Sequence, residues 1–266
     1  MPLRLTPAFR DVLASQDRPM VGMWVSSGSP LVAEIAAGSG LDWLLIDMEH
    51  APNGLESVLA QLQAVAAYPV VPVVRVPSAD PVLIKQVLDL GAQTILVPMV
   101  DSAQEAADAV AALRYPPRGR RGVGSALGRS ARWNRVEGYL QQAEEHVSLL
   151  VQIESEAAVE AAAEIGAVDG VDGVFVGPSD LAASMGVLGQ QTHPEVRAAV
   201  LRTFDAVRAA GTPVGVNAFD PAVADAYLEQ GASFVLVGAD VALLARGSEA
   251  LATRFIGSAE EDNDRS

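Results

Sequence analysis

Two apolar runs in this 266-residue chain each lead into a carboxylate. One is Leu149-Leu150-Val151-Gln152-Ile153-Glu154, and the other is Gly173-Val174-Phe175-Val176-Gly177-Pro178-Ser179-Asp180. Runs of this kind read as buried parallel strands. Adjacent strands lie roughly 5 Å apart, so as barrel neighbours they would bring Glu154 and Asp180 together at the mouth of the fold. Two carboxylates with space left for water and substrate suit a hard divalent cation, Mg²⁺ or Mn²⁺ first, with Co²⁺ or Zn²⁺ as alternatives.

Other apolar runs also end in polar groups. The second ends in Asp47-Met48-Glu49-His50, the third in Arg75, the fifth in Gln152 and Glu154, and the sixth in Ser179 and Asp180. The seventh ends near Asn217 and the eighth at Asp240. Charged residues at so many ends, and almost none inside the runs, read as a site rather than as core. His50 is either a capping or packing histidine or an acid/base group, and its position after a strand with acidic residues at its end favours the second. Arg75 either pairs with a structural carboxylate or holds the oxygen of an α-keto acid or enolate by charge-assisted hydrogen bonds. Asp89 is set against the dipole at the end of its helix. It is either a solvated surface group or the partner of a histidine, on this subunit or another. His193 reads as a helix start before Pro194, and His146 as part of a polar connection.

The elements that must position these groups are legible as eight runs: Val21–Val25, Trp43–Met48, Val70–Val76, Thr94–Val100, Leu149–Glu154, Gly173–Gly177, Val214–Asn217 and Phe234–Gly238. Segments with apolar residues at helical spacing separate them, among them Leu55–Ala66, Ala103–Leu113 and Pro194–Ala209. A unit recurs in register: Asp80-Pro81 to Gly91-Ala92 and Asp220-Pro221 to Gly231-Ala232. In each, a capping carboxylate precedes a proline at the first helical position and a glycine closes the helix. Eight strand units in one chain of this length predict an α/β fold, a single-domain (β/α)₈ TIM barrel over residues 1–257. A doubly wound sheet is disfavoured because no Gly-x-Gly-x-x-Gly follows the first strand. Residues 258–266 read as a disordered polar tail. Tyr115–Arg135 is a long loop with the only basic cluster, Arg118, Arg120, Arg121, Arg129, Arg132 and Arg135, suited to anion steering or, by preference, to interface ion pairs.

Composition narrows the chemistry. A formal charge of −15 argues against a nucleic-acid partner. No apolar run is long enough for a membrane span, and no apolar signal core opens the chain. The absence of cysteine removes thiolate chemistry and fits a cytoplasmic location. Keto-acid barrels stabilise a carbanion either through a lysine imine or through a metal. Lys85, the only lysine, lies mid-helix between Asp80 and Gly91 and so belongs on the outer ring. The metal route remains.

Several stretches together resemble one family. They are Leu41 through Asn53 with its Asp47-Met48-Glu49-His50, Arg114-Tyr115-Pro116-Pro117 with Arg121-Gly122-Val123-Gly124-Ser125-Ala126, Val151-Gln152-Ile153-Glu154, and Gly170 through Leu181. The chain resembles the HpcH/HpaI family of class II, metal-dependent pyruvate aldolases over residues 20 to 255. The resemblance implies reversible aldol cleavage of a 4-hydroxy-2-oxo acid to pyruvate, or hydroxypyruvate, and an aldehyde. It also implies a homo-oligomer, a hexamer built as a trimer of dimers. By motif, Glu154 and Asp180 would be metal ligands, and Gln152 and the backbone at Ser179 would bind the keto acid. His50 would transfer protons with Asp47 beside it, Arg75 would stabilise the enolate, and Asp89 would raise the basicity of a histidine across a subunit contact. A CoA-thioester lyase of malyl or citramalyl type, and a non-catalytic metal-binding oligomer, are the rival readings.

Overall fold

In a strand, side chains alternate between two faces, and in this chain the alternation sorts large apolar and polar residues inward and small branched ones outward. Trp43, Leu45 and Asp47 share one face of their strand, as do Val73 and Arg75, and Leu150 and Gln152. The outward set, including Leu44, Ile46, Val74, Val151 and Val174, forms the larger apolar cluster with the surrounding helices. The inward set, including Trp43, Leu45, Val73, Leu96, Leu150, Phe175 and Phe234, forms a separate inner cluster. Buried on both sides, these strands have no polar face to expose.

The computed structural model describes residues 3–257. The polar stretch 258–266, expected to be disordered, lies outside the described residues. The strands are β1 (Met20–Val25), β2 (Trp43–Asp47), β3 (Val71–Arg75), β4 (Thr94–Val97), β5 (Ser148–Ile153), β6 (Gly173–Val176), β7 (Val214–Asn217) and β8 (Phe234–Ala239). They close in chain order into an all-parallel barrel, β8 pairing back onto β1. The helices are α1 (Phe9–Ser15), α2 (Pro30–Ala37), α3 (Leu55–Ala64), α4 (Pro81–Asp89), α5 (Ala103–Leu113), α6 (Tyr139–Gln142), α7 (Glu156–Glu160), α8 (Ala162–Gly166), α9 (Pro178–Ser184), α10 (Pro194–Ala209), α11 (Pro221–Glu229) and α12 (Asp240–Ile256). The (β/α)₈ barrel expected from the sequence is therefore the fold. All eight predicted runs hold strands, and α5 and α10 occupy the ranges predicted for them.

Aromatic rings fill the inner cluster. Phe9 of α1 meets Trp43 and Phe234 edge-on, with centroids 5.5 and 5.2 Å away. Phe175 lies between Trp24 and Trp43 in the same manner. Such rings fit because neighbouring inward positions are glycine. A Cβ on Gly22 would lie 2.6 Å from the Trp43 indole nitrogen, and one on Gly215 would overlap the Phe234 ring.

The repeated helix signals act as read. Asp80 accepts a hydrogen bond from the Val82 amide, and Asp220 accepts from the amides of Ala222 and Val223. Gly91 and Gly231 both take φ +95°, the left-handed conformation that closes a helix. His193 caps α10, its Nδ1 accepting from the Glu195 amide. Lys85 lies on α4 beside Gly122 of the long loop, on the outer ring as expected.

Two expectations change. The basic cluster of the long loop is mostly spent within the chain. Arg121 is fully buried on Asp89 and the Tyr139 hydroxyl, Arg129 donates to the Leu90 carbonyl, Arg118 pairs with Glu144, and Arg120 with Asp108. Asp240, placed by sequence among the site carboxylates, instead ties β8 to the loop after β1. Its oxygens accept from the amides of Ser26 and Ser27 at 2.8 and 3.0 Å. A buried carboxylate can satisfy backbone donors as well as bind substrate, and the sequence alone does not separate the two uses.

The last helix, α12, differs from the rest. Only Asp240 of it is buried, while Leu243, Leu244, Leu251, Phe255 and Ile256 are exposed. Among the described residues no helix is long and apolar enough to cross a membrane.

The packing predicts that Gly215→Ala will destabilise the barrel by about 1–3 kcal/mol, because the added methyl must displace a ring held on all sides. Urea denaturation checks this, and an unchanged midpoint would contradict the packing described.

Candidate active site

The period of two that fills the barrel also builds its upper layer. One step beyond the apolar inward residues stand Asp47, Arg75, Gln152, Glu154 and Asn217, at the C-terminal ends of four strands. Barrel enzymes carry their chemistry there.

Arg75 is the centre of that layer. It is 5% exposed, and its Nε and Nη2 donate to the two oxygens of Asp47, both at 2.8 Å. Its Nη1 lies 2.9 Å from Glu49 Oε2. One guanidinium face lies over the Trp24 indole, 4.3 Å from the ring centroid. Trp24 is held in turn by its Nε1, which donates to Asn217 Oδ1 at 2.8 Å. Cation, two carboxylates and aromatic plate leave the guanidinium one geometry. Asp47 also accepts from the amides of Glu49 and His50, so one carboxylate shapes the turn after β2 and orients Arg75. Asn53 closes that turn by donating to the Asp47 carbonyl.

Across the mouth, Glu154 is 7% exposed. Its Oε1 accepts from the Met99 amide at 2.7 Å, and its Oε2 accepts from the Gln152 side-chain nitrogen. Gly177 leaves room for this pair, since a Cβ there would lie 3.0 Å from Glu154 Oε2. Burial pushes the Glu154 carboxyl up to about 7; the two hydrogen bonds oppose the rise, and the nearby charges of Asp180 and Glu49 add to it. Burial likewise raises Glu49, with Arg75 opposing. Asp180 enters from the first turn of α9, beyond β6, which pairs with β5. Asp180 is near enough for its charge to bear on Glu154.

The group that two carboxylates imply here is a divalent cation, and the donors fit it. The Oε1 of Gln152 is buried without a hydrogen-bond partner, as is Glu49 Oε2 apart from its ion pair. A carboxyl whose anion is disfavoured by desolvation and like charge gains most from a cation. Among the described residues no three His, Cys, Asp or Glu side chains gather into a closed metal cage. The arrangement is an open site with oxygen donors.

The remaining predicted residues are dispersed around this centre. His50 is exposed at the rim, its Nε2 3.9 Å from Glu49 Oε1. Ser179 follows Pro178 at the start of α9 and is also exposed. Asp89 ends α4. Helices return to the opposite end of the barrel from the strand tips, so within one chain Asp89 does not reach His50. It instead accepts from Arg121 Nη2 at 3.1 Å. Three contributors escaped the sequence reading. Trp24 had a usable signal, an aromatic at the inward end of β1. Glu49 stood in the motif but was given no role. The Met99 amide had none, because backbone donors carry no residue signature; its φ of +55° marks a strained turn.

A parallel (β/α)₈ barrel with an acid-lined oxygen site at its strand tips is the architecture of a barrel enzyme. The chain belongs to the HpcH/HpaI aldolase/citrate lyase family, whose model matches residues 20–247. It is 56% identical over 248 residues to the 4-hydroxy-2-oxo-heptane-1,7-dioate aldolase of Salmonella dublin, covering 93% of this chain and 94% of that protein. The same identity and coverage hold for the Salmonella typhi protein of that name. Among solved structures, an HpcH/HpaI aldolase/citrate lyase family protein from Burkholderia cenocepacia J2315 superimposes with a TM-score of 0.88 at 43% identity, over 92% of this chain and 97% of that one. An HpcH/HpaI aldolase from Desulfitobacterium hafniense DCB-2 does so with a TM-score of 0.84 at 29% identity, over 93% and 97%.

The Glu154 environment sets a pH dependence. A carboxyl raised from 4.5 to about 7 keeps its proton in the folded state while the unfolded chain has released it. The stability it contributes is complete below about pH 4.5 and is lost as pH rises through 7. In chelator, the urea midpoint should therefore fall between pH 5 and 8, and Glu154→Gln should reduce the fall. An equal decline in the variant would place the titrating group elsewhere.

Proposed function

We propose that the chain is a class II pyruvate aldolase, a carbon–carbon lyase that reversibly cleaves a 4-hydroxy-2-oxo acid to pyruvate, or hydroxypyruvate, and an aldehyde. The observation that carries the reading is the mutual proximity of Glu154, Asp180 and Glu49, the last paired with the buried Arg75, in a chain more than half identical to named aldolases.

Glu154 and Asp180 would hold the divalent cation, Mg²⁺ or Mn²⁺ by their hard donors, with Co²⁺ or Zn²⁺ as alternatives. When bound, it supplies Lewis-acid stabilisation of negative charge at the keto oxygen. Gln152, with its free Oε1 and its amide on Glu154, fixes that carboxylate and lines the donor pocket with the backbone at Ser179. Arg75 donates to the enolate oxygen, and the Asp47–Arg75–Trp24 stack keeps it aimed without reorganisation during the reaction. His50, at the rim, takes the proton from C3 of the donor, directly or through water, and returns one to the new alkoxide. Asp89 raises the basicity of such a histidine only from a second copy, because it ends its helix at the far face of the barrel. A homo-oligomer follows, a hexamer as a trimer of dimers, and the exposed apolar residues of α12 supply surface for it. The catalytic unit is the single barrel of residues 1–257, and the lack of cysteine fits the cytoplasm.

Proton exchange tests this reading. The methyl protons of pyruvate should exchange into heavy water with Mg²⁺ or Mn²⁺ present and stop on chelation. Glu154→Gln should lower the exchange rate at least a hundredfold with the circular dichroism spectrum unchanged. Full exchange in chelator would overturn the metal-dependent mechanism, and coenzyme A dependence would favour the thioester lyase. Light scattering should return a hexamer, and replacing Leu244 by Glu should lower the mass; a monomeric wild type would remove the role given to Asp89.

A further inference from the structure

Beside the catalytic layer, between α9, the loop before α10, the end of β7 and α11, lies a cavity of about 170 Å³. Ser179, Thr192, Asn217, Asp220 and Tyr227 give it polar walls, and Phe219 an apolar one. Two of these residues also belong to the site. Ser179 adjoins Asp180, and Asn217 accepts from the Trp24 indole that supports Arg75. The cavity therefore adjoins the site through these two residues.

Its most buried polar group is unsatisfied among the described residues. Tyr227 is 2% exposed, its ring packs on Phe204, and its hydroxyl has no hydrogen-bond partner. A buried phenol without a partner is destabilising unless a ligand or water completes it. Among the described residues the walls carry no cation. Asp220 is their only charged residue, with one of its oxygens occupied in capping α11. Arg197 of α10 comes near the phenol without lining the cavity.

We infer that this cavity receives the chain of the electrophilic aldehyde beyond its reacting carbon, and that it selects a neutral, hydroxylated chain over a carboxylate-tipped one. The inference rests on the aldolase reading. Hydroxyls of the ligand would complete the Tyr227 phenol and the Thr192 and Asn217 side chains. A carboxylate there would lose its water, face Asp220 and gain no counter-ion. The Salmonella relatives are named for a 1,7-dioate, whose cleavage between C3 and C4 releases an aldehyde tipped by a carboxylate. On this inference the present chain departs from them in preference.

The test is the rate of aldol addition of pyruvate to glyceraldehyde and to succinic semialdehyde by the wild type, Tyr227→Phe and Thr192→Val. The wild type should show a kcat/KM about tenfold higher for glyceraldehyde, since a site built to hydrogen-bond hydroxyls rejects ligands that lack them. Each variant should raise the KM for glyceraldehyde about fivefold, with kcat, the constants for the semialdehyde and pyruvate proton exchange held within twofold. An equal or reversed wild-type preference, or an unmoved glyceraldehyde KM in Tyr227→Phe, overturns the inference. If exchange falls in Tyr227→Phe because packing has changed, Thr192→Val on its exposed loop decides by the same criterion. Exchange retained without the aldehyde preference strikes the subsite alone, whereas a wild type without metal-dependent exchange strikes the aldolase reading itself.

Discussion

The buried guanidinium of Arg75 is the constraint around which the mouth of the barrel is arranged. Bringing a cation and its counter-ions out of water is costly, and such a pair seldom adds net stability. What it adds here is position. Asp47 takes two of the Arg75 nitrogens, Glu49 a third, and Trp24 one face. No single substitution leaves the others unchanged, because removing either carboxylate strands charge in a desolvated layer. The charge balance also points outward. Asp47 and Glu49 hold the guanidinium, while the charges of Asp180 and Glu154 bear on each other and on Glu49, and burial raises the Glu154 carboxyl to about 7. A site so short of positive charge, and lined by oxygen, is disposed to take up a cation rather than a second anion.

The barrel makes this charge density tolerable by keeping the layers beneath it dry and stiff. Trp43, Phe175, Phe234 and Phe9 fill the axis below the site, and they fit because Gly22 and Gly215, paired with Trp43 and Phe234 on the adjacent strands, give up their side chains. The same economy recurs one layer up, where Gly177 leaves space for Glu154 and Gln152 to meet. The long loop from Tyr115 is fastened by Arg121, which is stacked on the Tyr115 ring and bonded to Asp89 and Tyr139. The loop is thereby anchored to the helix end of α4.

Much of this was legible in the chain. Strand runs without exposed polar faces, and the Asp-Pro to Gly unit that begins and ends α4 and α11, specify a parallel barrel through local rules that agree with one another. Once the strands are placed, Glu154 and Asp180 must be neighbours. What was not legible falls into two physical kinds. Asp240 has the same chemistry and strand-end position as the site carboxylates, but its acceptors are filled by the Ser26 and Ser27 amides, a matter of loop path. The Met99 amide and the Trp24–Asn217 bond are contacts between elements far apart in sequence, and no local pattern announces them. The arginine loop was ambiguous for a third reason. Side chains of that length reach partners that depend on where the loop lies.

Asp89 shows how far the fold alone carries the argument. In a parallel barrel each helix runs back from the strand tips, so the last residue of α4 stands at the face away from His50. Its carboxylate is held by a guanidinium that is fully buried and itself clamped by Tyr139. A surface aspartate set against a helix dipole would not need such support, and pairing with His50 of its own chain is excluded by topology. A fixed carboxylate at the wrong end of the barrel has a use in proton transfer only where another copy presents its strand tips to that face. Along α12, Leu243, Leu244, Leu251, Phe255 and Ile256 stand exposed among the described residues. A carboxylate fixed at that face and an exposed apolar helix would both be put to use in an assembly of copies, which would tie the site at the barrel mouth to the surface that joined them.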